Sequence, residues 1–147
     1  MLQFIEITDN TGKIVQPDWL ARAESVHRQL RTELSSDYAA QLSQVFANGA
    51  RMSVAINDEQ VVGVAIWRVI VNTYEGHQFY VDDLVTDALH RSQGIGKALL
   101  ANLELLARQH NCDVLTLDSG TQRTRAHAFY FREGMHIPSF CFRKKLS

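Results

Sequence analysis

Arg91, Gly94, Gly96 and Lys97 fall in the run HRSQGIGKAL, residues 90–99, between a strand-like stretch, FYVDDLVTD, and the apolar-periodic LLANLELLARQH. Glycines at the entry to a helix suit the capture of an anion. The first turn exposes N–H groups with no intrahelical acceptor, the helix dipole adds partial positive charge, and a residue without Cβ lets a phosphate come close to the backbone. Arg91 and Lys97 would add side-chain charge. On the glycines alone, a plain turn into a helix with both cations solvated is the simpler reading, because short glycine motifs recur by chance. Two common phosphate motifs do not fit. A P-loop needs glycine at 91 and Ser or Thr at 98, where the chain has Arg91 and Ala98, and a dinucleotide fingerprint needs a small residue at 99, which is Leu99.

Asp82 and Asp83 are adjacent, and on a regular strand their side chains face opposite sides of the sheet, so only one would enter a given cleft. Either carboxylate is equally well read as solvated or ion-paired at a strand end. The six histidines, at 27, 77, 90, 110, 127 and 136, form no HxxxH or HxH pair, and the two cysteines have no zinc spacing, so no metal site is expected. His90 and His127 read as surface or capping residues. Cys112 and Cys141 are expected to be free, buried thiols in a chain large enough to fold without a disulfide.

The elements that would position these residues can be read from periodicity. Residues 2–8 suit a first strand ending at DNTG. Pro17 suits a helix start, with Leu20, Ala23, Val26, Leu30 and Leu34 at helical spacing. SSDYAAQLSQVFANG reads as a second helix with a serine cap and Gly49 as its stop. RMSVAI, VVGVAIWRVIV and HQFYVDDLV read as strands joined by the turns NDEQ and TYEG into antiparallel hairpins. A helix carrying Ile95, Leu99, Leu103 and Leu106 ends near His110, and DVLTLD follows as a buried strand expected to run parallel to FYVDDLV. A last helix, about 122–133 with Gly134 as its stop, leads to a final strand near 136–146. The fold class is α/β, with about four helices flanking a mixed, largely antiparallel sheet that contains one parallel pair.

With 147 residues and 46% hydrophobic content the chain is expected to form one domain, residues 1–147. The net charge of −1 gives no general attraction for nucleic acid or anionic membrane, and a nucleic-acid role for the basic run at Arg143 to Lys145 is not supported by any recognised motif. No stretch reaches the roughly 18 apolar residues of a membrane span and no signal sequence is evident, so the protein reads as cytoplasmic.

DDLVTDALHRSQGIGKALL followed by LTLDSGTQRTRAHAFYFREGM resembles the GNAT superfamily of acetyl-CoA-dependent N-acetyltransferases. Arg91, Gly94 and Gly96 match its acetyl-CoA signature, and Ala126, Phe129, Tyr130 and Gly134 match its second motif; the close resemblance covers about residues 78–135. It implies that Arg91, Ser92, Gln93, Gly94, Ile95, Gly96 and Lys97 hold the coenzyme A pyrophosphate. It also implies that Leu84, Val85 and Thr86 pair with the pantetheine arm like an added strand, an N–H near Leu84 or Val85 polarising the thioester carbonyl. Arg123 departs from the asparagine that many members carry near that arm; by the resemblance its position would adjoin the coenzyme.

By the same resemblance Tyr130 would protonate the departing thiolate. An alkyl amine with a pKa of about 10.4 must lose a proton before it attacks. VDDLVT is similar to the acidic segment of polyamine-acetylating relatives, so Asp82 is favoured as base through water and Asp83 as an acceptor contact. Trp67, Tyr74, Glu75 and Phe140 are candidates to line the acceptor pocket between the hairpin and the last strand; Trp67 and Phe140 read equally well as core. The expected activity is acetyl transfer from acetyl-CoA to a primary amine of a small molecule, peptide or protein. The alternative is a non-catalytic acyl-CoA-binding sensor of the same fold. The oligomeric state is open, a homodimer being one assembly the sequence allows.

Overall fold

The computed structural model describes residues 1–147. Turn chemistry sets most element boundaries. Strand β1, Gln3–Glu6, pairs antiparallel with β2, Arg51–Asn57, which turns through Asp58 and Glu59 into β3, Gln60–Asn72. Both turn residues have positive φ, 50° and 63°, the geometry of a tight two-residue hairpin whose twist matches its strands. A three-residue loop leads from β3 to β4, Gly76–Thr86; the Asn72 side-chain oxygen accepts from the Tyr74 and Glu75 N–H groups there. β5, Val114–Leu117, completes a sheet ordered β1-β2-β3-β4-β5, antiparallel except for the parallel β4–β5 pair.

Helix α1, Pro17–Leu30, starts on its proline; α2, Tyr38–Ala47, is capped by Asp37, whose carboxylate accepts from Ala40 N–H at 3.1 Å. The cap is therefore Asp37 and not a serine; Ser35 instead accepts from the Asp37 N–H. The aspartate satisfies one of the helix's unpaired first-turn donors. α2 ends at Asn48, followed by Gly49 at φ 104°. Leu20, Ala23 and Val26 of α1 and Tyr38, Leu42 and Phe46 of α2 close over Met52, Val54, Val64 and Ile66 as one core. The alternate strand residues serve the opposite face. There Trp67 stacks on Phe79 at 4.7 Å and meets the edge of His110, the C-cap of α3, Ile95–Gln109.

The chain divides into two compact units, Met1–Thr116 and Leu117–Ser147. The second contains α4, Thr124–Arg132, which ends at Glu133 with Gly134 at φ 86°. Residues 136–147 form no strand, contrary to the expectation from sequence. An extended pattern becomes a strand only when a neighbouring backbone accepts its hydrogen bonds, and the sheet of this chain ends at β5. No helix is long and apolar enough to cross a membrane.

Candidate functional site

The entry to α3 is a glycine-containing turn. After a 3₁₀ turn at Ala88–His90, capped by Asp87, the chain takes left-handed conformations at Ser92, φ 64°, and Gly94, φ 78°. Gly94 is the N-cap, has no side chain to offer, and its carbonyl accepts the first helical hydrogen bond, from Ala98 N–H at 3.0 Å. The first-turn donors at Ile95, Gly96 and Lys97 thus precede the intrahelical ladder and suit an external acceptor. A Cβ on Gly94 would meet nothing within 4 Å, so conformation and not crowding selects glycine, and the approach to the helix end is clear. Ile95, Leu99 and Leu103 are buried and fix the helix, while Arg91, Ser92, Gln93 and Lys97 are exposed beside its start. Gly63 of β3 lets this helix come close: a Cβ there would lie 3.1 Å from a Leu99 methyl.

Alongside, β4 carries a bulge. Ile66 pairs with Asp83 but Trp67 pairs with Val81, so Asp82 is an extra residue with no partner across the ladder. The bulge corrects the expectation that the two aspartates face opposite sides. Arg68 holds Asp82 through Nε at 2.9 Å and Nη2 at 2.5 Å while also donating to the Asn48 carbonyl at the end of α2. Asp83 meets His27 and Arg31 of α1 and its C-cap. Both carboxylates are thus turned toward the α1 and α2 side. Beyond the bulge, Leu84, Val85 and Thr86 pair with Ala65, Val64 and Gly63 of β3. On the other side, Asp113 N–H bonds the His77 carbonyl at 2.7 Å, which aligns the four residues of β5 with the first half of β4. The Leu84–Thr86 end of β4 lies beyond this pairing.

Asp83 belongs to a buried relay. Tyr38 Oη lies 2.8 Å from His27 Nδ1, His27 Nε2 lies 2.6 Å from Asp83 Oδ2, and Arg31 Nε donates to Asp83 Oδ1 at 2.8 Å. His27 is 1% exposed. Burial alone would raise the Asp83 carboxyl, yet the His27 and Arg31 hydrogen bonds outweigh it and hold the group below the usual carboxylate range. Burial pushes the Tyr38 phenol far up, so it stays protonated. With side-chain exposures of 23% for Asp82 and 12% for Asp83, Asp82 is the carboxylate with more surface left for water or an ammonium group. Sequence reasoning gave His27 no role. The available signal was a titratable residue on the apolar stripe of α1, next to Val26 and one turn before Arg31.

In the second unit Tyr130 sits on α4 with its ring 5.4 Å from Phe129. Burial raises its phenol, and the nearby Arg123 charge, at the helix N-cap, lowers it by less. Among the acceptor candidates, Trp67 is a core residue whose Nε1–H donates to Ser53 Oγ at 3.0 Å. It also borders a cavity of about 380 Å³ with Glu6, Arg51, Gln109 and His110. Tyr74 and Phe140 are exposed and Glu75 is half-buried. Both cysteines are free, but Cys141 is exposed and Cys112 half-buried, which corrects the expectation of two buried thiols; Cys141 lies in the segment that forms no strand.

A helix start with free donors beside a bulged parallel-edge strand is a known arrangement, and comparison with known proteins decides which. The model of the acetyltransferase (GNAT) family matches residues 15–135. The chain belongs to the GNAT family. It is an acetyl-CoA-dependent acyltransferase. This GNAT chain is 33% identical over 132 residues to the uncharacterized N-acetyltransferase YhdJ of Bacillus subtilis, covering 86% of the present chain and 91% of the relative. It is 32% identical over 94 residues to the aminoalkylphosphonate N-acetyltransferase of Salmonella typhimurium, covering 63% and 61%. The solved aminoglycoside N-acetyltransferase AAC(6')-Iy in complex with CoA has the same fold, with a TM-score of 0.80 at 14% identity over 99% of the GNAT chain and 96% of that one.

Proposed function

We propose that this chain moves an acetyl group from acetyl-CoA directly to a primary amine of a small molecule or peptide, with residues 1–147 acting as one catalytic domain. The observation that carries the reading is the α3 entry: two left-handed residues and three first-turn donors beside exposed Arg91 and Lys97, next to the bulged end of β4. The pyrophosphate would rest on the backbone of residues 91–97, and the pantetheine arm along Leu84, Val85 and Thr86. The amine nitrogen attacks the thioester carbonyl carbon, the oxyanion is held by the N–H of Leu84 or Val85, and the C–S bond then breaks. Tyr130 gives its phenolic proton to the thiolate, while the proton leaving the amine passes through water to Asp82. Asp83, held on both oxygens by His27 and Arg31, contributes to the acceptor side as fixed negative charge. Arg123 supports the coenzyme from the start of α4. The relative named for aminoalkylphosphonates makes small amines the first acceptors to test.

The decisive experiment is thiol release from acetyl-CoA with a panel of amines. Amine-dependent release is expected; tight acetyl-CoA binding with no release from any amine would overturn catalysis in favour of a sensor. Gly94→Glu should raise the acetyl-CoA Kd at least about tenfold, about 1.4 kcal/mol, because a carboxylate at the helix entry repels the pyrophosphate. Calorimetric titration of the folded variant checks this, and an unchanged Kd would remove the assignment. Asp82→Asn should lower kcat/KM about tenfold near pH 6 and less near pH 9, where the amine sheds its proton more readily. A pH-rate profile of both forms is the measurement, and a loss independent of pH would leave Asp82 with only its bond to Arg68.

A further inference from the structure

The cavity of about 380 Å³ beside Trp67 is formed wholly within Met1–Thr116, by the end of β1, the start of β2, the middle of β3 and the last turn of α3. It lies apart from the groups assigned to acetyl transfer. Trp67 is on the sheet face opposite Asp82 and Asp83, and the 15 residues of α3 put its C-terminal end about 22 Å from the turn at Gly94. Its volume falls in the roughly 300–1,000 Å³ range of small-molecule sites.

The polar groups turned to this cavity are acceptors. Glu6 Oε1 accepts from the Ser53 hydroxyl at 2.8 Å, and Ser53 Oγ in turn accepts from Trp67 Nε1–H at 3.0 Å, which fixes the carboxylate against the indole. Glu6 Oε2 has no hydrogen-bond partner, and Glu6 is in no ion pair. His110 Nδ1 lies 2.9 Å from the Leu106 carbonyl, which can only accept, so Nδ1 carries a hydrogen and Nε2 of the neutral ring offers its lone pair. The one cation at the rim is already occupied: Arg51 donates through Nη1 and Nη2 to the Ala50 and Asn10 carbonyls at 2.6 and 2.7 Å. Asp9 is likewise spent on its own turn, accepting from the Thr11 and Lys13 N–H groups. Burial pushes the Glu6 carboxyl up, and the Ser53 bond and the His110 charge offset this only in part, as befits a carboxylate with no cation of its own.

We propose that this cavity is a second binding site, for a primary ammonium on a short apolar body, with the nitrogen on Glu6 Oε2 and His110 Nε2 and the body against Trp67 and Leu106. An ammonium has three donors and no acceptor, which matches two unused acceptors and one uncompensated negative charge. Trp67 and Leu106 supply the apolar wall, and the indole ring adds attraction for a cation.

The probe is n-butylamine at neutral pH, with n-butanol as its uncharged counterpart of similar shape. The indole N–H signal of Trp67 in a proton–nitrogen NMR spectrum reads the site, because that N–H is joined to Glu6 through Ser53. The chain has two tryptophans, so Trp19→Phe assigns the signal. Butylammonium should shift it saturably, butanol should not, and Glu6→Gln should weaken the binding at least about tenfold, since it keeps an oxygen for Ser53 and removes only the charge. Absence of a saturable shift would overturn the proposal, as would butanol binding as tightly as the amine. A shift of equal affinity in folded Glu6→Gln would also overturn it, and would place the amine on the acceptor side of the sheet. If Glu6→Gln does not fold, the comparison of butylammonium with butanol on the unsubstituted chain decides alone.

Discussion

Tyr130→Phe is expected to lower kcat about a hundredfold with little change in acetyl-CoA affinity. The substitution keeps the ring and its packing on Phe129 and removes only the hydroxyl. A positioned general acid contributes roughly 10²- to 10⁴-fold, about 3 to 5 kcal/mol of barrier. The lower end applies because a thiolate is already a fair leaving group and water can partly replace the donor. Burial keeps the phenol above its ordinary pKa despite Arg123, so the hydroxyl holds its proton across the neutral range and is available to give it. Steady-state kinetics with the best amine of the panel, beside a calorimetric acetyl-CoA titration, checks this. A folded variant that keeps more than about half its turnover would return Tyr130 to a packing role and leave the proton to another donor.

Asp83→Ala should cost about 3 kcal/mol of folding stability, a large share of the roughly 5–15 kcal/mol available to a domain. It leaves His27, 1% exposed, without the acceptor at 2.6 Å, and removes one partner of a largely buried ion pair. The low end of the usual range applies because Arg31 is half-exposed and can turn to water. The sign of the pH dependence follows from the direction of the shift. The folded-state pKa of Asp83 lies below its unfolded value, so its contribution is complete above the unfolded carboxylate pKa. It is lost as pH falls through the folded value, that is, progressively below about pH 5. Urea unfolding at neutral pH and near pH 3 should therefore show a wide gap between the native chain and Asp83→Asn at the higher pH and a narrower one at the lower. A constant gap would assign the loss to packing instead of charge.

The order of strands and helices was legible because each element carries its own period and its own stop: Pro17 at a helix start, Gly49 and Gly134 after helix ends, Asp58 and Glu59 in a hairpin. The turn into α3 was legible for the same local reason. Gly94 takes its left-handed φ at the N-cap of the helix it starts, so the sequence window contains the whole turn.

What the window could not contain depends on pairing across the chain. Asp82 becomes a bulge only because β3 and β4 slip by one residue at Trp67, and that register is set jointly by two strands, not by either alone. The same slip decided which face both aspartates share. The His27 relay joins residues 56 apart in sequence, on a helix and a strand whose packing follows from burying the apolar stripe of α1. Residues 136–146 show the converse case. By itself the sequence determined their alternation, but a strand also needs an edge to accept its backbone hydrogen bonds, and only tertiary structure could decide that the sheet of a single chain stops at β5.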